Sequence, residues 1–358
     1  VVLWLDENTN ATKNPTGSLE YYWRGRTDLV TPKFSGIDFS GVTSFRFSWY
    51  PCTGLTSFPA INMSAGTSFY ATWESCTSLA SMPAIALTAG TDFTNAWKSC
   101  TALTSFLATG LDSGAIFTQA WRNCTSLTSM PAIPLTAGTN FQSAWDGCSS
   151  LTSFLATGLD SGTIFSTAWY NCTALTTFPA IPFTAGTTFT RAWHNCTSLT
   201  SFLATDFTAG VTFSQAWENV ESLTTFPAIA FPSSATNFSY AWRYCDGMTT
   251  FLATGLDSGT TFLQAWYLDT ALTEMPAIPL TAGLNFTSAW SGCTSLTSFL
   301  ATGLDSGTNF TAAWANCTSL ATFPAIPLTA GLNFTSAWSG CLALTSFPVL
   351  DLSAGTNF

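Results

Sequence analysis

Phe117-Thr118-Gln119-Ala120-Trp121-Arg122-Asn123-Cys124-Thr125-Ser126-Leu127-Thr128-Ser129-Met130 decides the fold, because its pattern returns along almost the whole chain. Trp recurs at Trp49, Trp73, Trp97 and onward to Trp338, every step 24 residues except one of 25. The exception falls where Phe231-Pro232-Ser233-Ser234 carries an extra residue. A Phe ladder runs four residues before the Trp, from Phe69 to Phe334 and on to Phe358. A Cys ladder runs three residues after it and holds all 11 cysteines, with Val220 and Asp269 standing in at two turns. Leu follows (Leu55, Leu79, Leu103), then Phe or Met three residues later. A repeat this short cannot bury its own apolar side chains; stacked copies turn each ladder into a buried column.

Within one repeat, Phe, Trp and Cys at i, i+4 and i+7 predict one face of a two-turn helix. Leu-Thr-Ser-Phe predicts a short strand. Pro-Ala-Ile-Pro-Leu continues extended, since Pro is excluded from helix interiors and restrains the residue before it. The fold expected is an α/β solenoid, a leucine-rich-repeat-like array of about 14 rungs of 24 residues. Each rung would hold a short strand, an extended return and a short helix, with a right-handed β-helix as the alternative. Phe-Leu-Ala-Thr-Gly-Leu-Asp-Ser-Gly alternates with Pro-Ala-Ile-Pro-Leu-Thr-Ala-Gly, so the duplicating unit spans two repeats. Residues 1–44 read as an irregular capping or docking segment with one degenerate rung at Leu19–Trp23. Residues 45–358 read as the solenoid, its C-terminal end uncapped.

Composition narrows the function. Hydrophobic residues make up 47% and aromatics 15%, too many for a disordered chain. Charged residues make up only 8%, with 9 Lys+Arg against 19 Asp+Glu, which argues against a nucleic-acid partner. No run of apolar residues is long enough to span a membrane.

The segment Ala120–Met130, with its Ala-aromatic-x-x-Cys-x-x-Leu-x-x-hydrophobic order, resembles the BspA-like leucine-rich repeats. The resemblance recurs through the repeated region. It departs from the family in three ways: Trp replaces the usual Phe, an Ile-Gly pair is missing, and each repeat is slightly longer. What the resemblance implies is an extracellular protein, or one on a cell or virion surface, used for adhesion or attachment.

Catalytic chemistry finds little footing. The single His, His194, follows Trp193 in a slot expected to be exposed, and no motif supplies it a partner. No cofactor motif is present. The cysteines recur singly, unlike metal ligands, and an odd count argues against a full disulfide framework. They are expected to be small buried thiols, with a few adjacent-rung bridges as the alternative in an oxidising compartment. Ten Asn-x-Ser/Thr sequons are candidate glycosylation sites: Asn10, Asn62, Asn123, Asn171, Asn195, Asn237, Asn285, Asn309, Asn316 and Asn333. Turn or capping asparagines are the competing reading. The position after each Trp varies most and pairs opposite charges on neighbouring rungs, as in Glu74–Lys98 and Arg122–Asp146.

These readings favour a non-enzymatic, glycosylated fibre or surface-layer subunit. Its partner would be itself, in a head-to-tail homopolymer, because Val1, Val2, Leu3 and Trp4 would follow Phe358 of another copy with the Phe-x-x-x-Trp spacing of a rung. The alternative is an adhesin or virus-type receptor-binding fibre that recognises glycan or a cell-surface protein through one face.

Overall fold

The computed structural model describes residues 15–34 and 37–358. They divide into two compact units, one ending at Leu159 and the other running from Asp160 to Phe358. Each is a solenoid of 24-residue turns. In the first unit β1 (Thr16–Ser18) pairs in parallel with β2 (Gly41–Ser44), β3 (Ser81–Met82) with β4 (Ser105–Phe106), and β5 (Ser129–Met130) with β6 (Ser153–Phe154). In the second, β7 (Thr177–Phe178) pairs with β8 (Ser201–Phe202), β9 (Thr225–Phe226) with β10 (Thr250–Phe251), and β11 (Glu274–Met275) with β12 (Ser298–Phe299).

Strands pair by twos for a covalent reason. From β3 to β12, on one rung of each pair the strand is followed by Leu, whose N–H bonds back to the preceding rung: Leu107 to Met82 O at 3.0 Å, and Leu155 to Met130 O at 2.9 Å. On the other rung it is followed by Pro131 or an equivalent, which has no N–H to offer. The 48-residue period is therefore written into the hydrogen bonding.

Among the described residues there is no α-helix, and this corrects the expectation for the Phe-to-Cys segment. The segment is a ribbon of consecutive tight turns. Ala120, Arg122 and Cys124 donate their N–H groups three residues back, to Phe117, Gln119 and Trp121. Phe117, Gln119, Trp121 and Asn123 instead donate to the next rung, to the carbonyls of Asn140, Gln142, Ala144 and Asp146, at 2.7–2.9 Å. Gln119 and Asn123 take φ values of 56° and 59°, which a helix forbids. Burial follows a four-residue period: Phe117, Ala120, Trp121 and Cys124 are buried while the pairs between them are half-buried. Apolar residues at i, i+4 and i+7 fit a helix and this ribbon equally well.

The core consists of columns. In the first unit Trp73, Trp97 and Trp121 stack at 5.5 and 5.2 Å with planes within 12°. Phe93 and Phe117 stack at 5.2 Å beside them. In the second unit Trp193–Trp217 and Trp290–Trp314 stack at 5.4 Å. Strand Phe side chains close the core edge-on, Phe106 meeting Trp97 at 4.8 Å and 87°. Each such pair contributes about 0.5–1.5 kcal/mol beyond its burial. Gly186 and its equivalents lie under the Phe ring three residues on, where a Cβ would collide with Phe189 Cζ. The one turn with Ala at this position, Ala235, belongs to the rung with the extra residue.

The cysteine column has a backbone purpose. Trp97 O accepts the Cys100 N–H of its own rung and the Cys124 thiol of the next, both at 3.1 Å, so both lone pairs are used. All 11 cysteines are free, and all but Cys341 are buried. Burial pushes the Cys52 thiol up to about 11 and the Cys148 thiol up to about 12. No helix of the described residues is long and apolar enough to cross a membrane.

Two outcomes follow. A maleimide at neutral pH should label Cys341 first in the native protein and the others only on unfolding; several thiols reacting at the Cys341 rate would refute the packing. Gly186→Ala should lower unfolding stability by about 1–3 kcal/mol in a denaturant titration, the usual cost of overpacking.

Candidate functional site

The turn ribbon offers four outward positions per rung, two before the Ala-Trp pair and two after it. Their backbone bonds are the same whatever side chains they carry. Arg191, Trp193 and Asn195 donate to the next rung at 2.9–3.0 Å; Ser288, Trp290 and Gly292 do so at 2.8 Å. The fold leaves these positions open.

They are filled very unevenly. All eight tyrosines lie within three residues of a Trp. So does every basic residue from Arg46 onward: Arg46, Lys98, Arg122, Arg191 and Arg243. In the second unit the large side chains gather on successive rungs. The Tyr170 ring stacks on His194 at 4.9 Å. His194 Nδ1 lies 3.2 Å from Glu218 Oε2, and Arg243 Nε lies 3.4 Å from Glu218 Oε1. Gln215 Nε2 donates to Glu218 Oε2 at 2.7 Å, and Arg191 Nε donates to Gln215 Oε1 at 2.8 Å. The Arg243 guanidinium lies over three rings, 4.5 Å from Tyr244, 5.4 Å from Tyr240 and 5.8 Å from Tyr267. It also donates to Gln264 Oε1 and to the Tyr244 hydroxyl. Beside this cluster Asn195 Nδ2 donates to Asn171 Oδ1, and Asn219 Nδ2 to Asn195 Oδ1, forming an amide ladder.

Burial pushes the Glu218 carboxyl up, but His194, Gln215 and Arg243 outweigh it and hold it below the usual carboxylate range. His194 is thus half-buried and partnered, which corrects the expectation of an exposed, unpartnered slot. Further along the same unit the positions carry only small side chains: Thr287, Ser288, Ser291 and Gly292, then Thr311, Ala312, Ala315 and Asn316, then Thr335, Ser336, Ser339 and Gly340.

The first unit carries a smaller cluster on the same positions. Tyr21 stacks on Phe47 at 4.9 Å, Arg24 lies over Tyr21 and Tyr50, and Arg46 lies 4.7 Å from the Tyr70 ring. The expected cross-rung pairs form, Lys98–Glu74 at 3.3 Å and Arg122–Asp146 at 2.9 Å. Sequence reasoning singled out only the position after the Trp. The positions two before and two after it vary as widely, a signal available in the repeat itself.

The sequons divide into two environments. Asn237, Asn285, Asn309 and Asn333 begin the ribbon, each Oδ1 accepting the N–H two residues on. Asn62 makes the same turn with Ser64. Asn123, Asn171, Asn195 and Asn316 occupy left-handed positions at φ of 59–61°. At Asn195 the amide nitrogen, the atom that would carry a glycan, gives one of its two N–H groups to Asn171. Asn62 and Asn316 are exposed and the others half-buried, except Asn10, which lies outside the described residues, as do Val1, Val2, Leu3 and Trp4. Phe358 stacks on Phe334 at 5.8 Å and is 69% exposed. Among the described residues no three His, Cys, Asp or Glu come together as they would to hold a metal ion.

No family model and no curated sequence matches the chain. Among solved structures it is similar to a leucine-rich-repeat protein of Eubacterium ventriosum, at 14% identity over 94% of this chain and 91% of that one, TM-score 0.43. It is also similar to a leucine-rich cell surface protein of Faecalibacterium prausnitzii, at 18% over 86% and 75%, TM-score 0.37. An internalin of Listeria monocytogenes is similar at 13% over 79% and 87%, TM-score 0.31. The solenoid assignment rests on the strand pairing and ribbon bonding above, to which scores this low add nothing.

Asp269 occupies the cysteine column. Its Oδ1 accepts the Cys245 N–H at 2.8 Å, and its Oδ2 is buried without a hydrogen-bond partner. Burial pushes its carboxyl well above the carboxylate range, so it folds protonated. An unfolded Asp ionises near pH 3.9, so this residue costs stability increasingly as pH rises above that value. Asp269→Cys, restoring the column, should therefore stabilise the protein by about 1–3 kcal/mol at neutral pH and by much less at acid pH. Urea titrations at the two pH values check this; an equal gain at both would contradict the protonated state.

Proposed function

We propose that this chain is a non-catalytic recognition protein of the extracellular or cell-surface class that binds a partner through the outward positions of its turn ribbon. The observation supporting this is the contrast within the second unit. Rungs 287–340 keep the ribbon and its inter-rung bonds with Thr, Ser, Ala, Gly and a single Asn at the positions flanking the Ala-Trp pair. Rungs 170–268 place Tyr, His, Glu and Arg at the same positions. Folding does not require those residues. Tyr and Arg are the side chains enriched at binding hot spots, because they supply large contact area and directional polar groups together.

The fibre reading remains a second proposal. It draws on the ribbon N–H groups that each rung directs to a neighbouring rung, a bonding pattern that a second copy can extend. Glycans at the sequons belong to the same proposal, Asn62 and Asn316 being the most accessible.

The test uses the full chain, fluorescently labelled, on a panel of bacterial and eukaryotic cells. Saturable binding to some member is expected. It should fall to background in a variant carrying Tyr170→Ser, His194→Ser, Arg243→Ser and Tyr267→Ser, a residue type of the rungs with small side chains. Near-UV circular dichroism of the Trp columns reports that the variant has folded. Undiminished binding by the folded variant would remove the ribbon from the function.

A further inference from the structure

We infer that the Tyr170–Tyr267 cluster is a binding site for an uncharged, hydroxyl-rich polysaccharide lying along the rung direction; this rests on the ribbon being the recognition surface. Four features of the cluster choose the ligand class.

The first is charge. Both arginines are already engaged, Arg243 by Glu218, Gln264 and Tyr244, and Arg191 by the Gln215 amide. A phosphate or uronate would have to compete with Glu218 for Arg243. The chain's net charge of −10 would also repel it.

The second is the absence of an apolar anchor point. Of the exposed leucines of this unit, Leu203, Leu252 and Leu300 directly follow strand residues, Leu284 and Leu332 lie two residues before a ribbon Phe, and Leu342 follows Cys341; none belongs to the Tyr170–Tyr267 cluster. The cluster itself presents half-buried Tyr rings and side-chain amides. Protein hot spots are typically desolvated pockets that receive an apolar or aromatic anchor. Sugars need the opposite: an aromatic face for their C–H surface and a dense set of neutral donors and acceptors.

The third is that both requirements are met and held rigid. Tyr170 is fixed by its stack on His194, and Tyr267 by Arg243 and an edge contact with Tyr244 at 5.8 Å. Little side-chain entropy is left to lose on binding. The amides of Asn171, Asn195 and Asn219 stand on successive rungs, and each amide nitrogen carries a second N–H beyond any ladder bond.

The fourth is periodicity. The Asn171, Asn195 and Asn219 amides recur once per rung, about 4.8 Å apart by parallel strand spacing. A site repeated in this way matches a polymer of repeating units better than a single compact ligand.

Affinity electrophoresis of the full chain in gels containing mannan, galactan, mixed-linkage β-glucan, alginate or heparin tests the inference. Retardation by at least one of the three neutral polymers is expected, and it should be insensitive to salt. Tyr170→Ala with Tyr267→Ala should weaken it about tenfold or more. Tyr170→Phe, which keeps the ring, should retain most of it, and Ser288→Ala with Ser339→Ala should change nothing. Retardation by alginate or heparin alone, falling with salt, would overturn the inference. So would neutral-polymer retardation that the folded Tyr double variant leaves unchanged, or none in any of the neutral gels. Cell binding that needs the ribbon but is destroyed by protease treatment of the cells, and competed by none of the neutral polymers, identifies a protein partner. That result would sink the polysaccharide and leave the wider proposal standing.

Discussion

Every second N–H of the turn ribbon leaves its own rung and bonds to the next, and the rest of the structure depends on this division. A helix would keep all its N–H groups to itself and meet its neighbours only through side chains. Here the backbone of each rung is unfinished until another rung lies beside it. The local and inter-rung bonds alternate, so inward and outward residues fall into a four-residue rhythm. That rhythm puts Phe, Ala, Trp and Cys inside and leaves two pairs of positions outside. The thiol column belongs to the same scheme, because each S–H completes a Trp carbonyl that the ribbon would otherwise leave half-used.

Separating the two jobs has a cost and a benefit. Inside, tolerance is low: Gly beneath Phe rings, indoles in register, and a carboxyl at Asp269 that stays protonated to be accommodated. Outside, the same backbone carries Ser291, Tyr267 or Arg243 with no change in its bonding pattern. Chemistry can therefore be varied on the ribbon without renegotiating the core, and the clustering of Tyr and Arg on a few rungs reflects that freedom.

Much of this was legible beforehand. The period, the inward columns, the buried thiols and the Glu74–Lys98 and Arg122–Asp146 pairs all follow from spacing, because a 24-residue repeat stacked in register must align like with like. The ribbon was not legible from apolar spacing, which suits a helix just as well. The missed clue was polar: Asn, Ser or Gly two residues after most Trp, as at Ser99, Asn123 and Gly147, are poor helix formers but accept a left-handed backbone. The pairing of strands by twos was hidden for another reason. Pro131 and its equivalents read as extended in isolation, and only the neighbour's carbonyl shows which hydrogen bond is lost. The Tyr170–Tyr267 cluster joins residues about 24 positions apart, so no local motif could have announced it.

The parallel indoles have an optical consequence. Within each unit, identical chromophores lie nearly parallel and little more than 5 Å apart, shielded from water. Their transition dipoles couple, and excitation absorbed by one ring is shared along the column before it is emitted. The far-ultraviolet spectrum will therefore contain exciton bands that have nothing to do with backbone conformation. Emission from a whole column will report on whichever indole has the lowest excited state, so one perturbed rung can dim or shift the fluorescence of its neighbours.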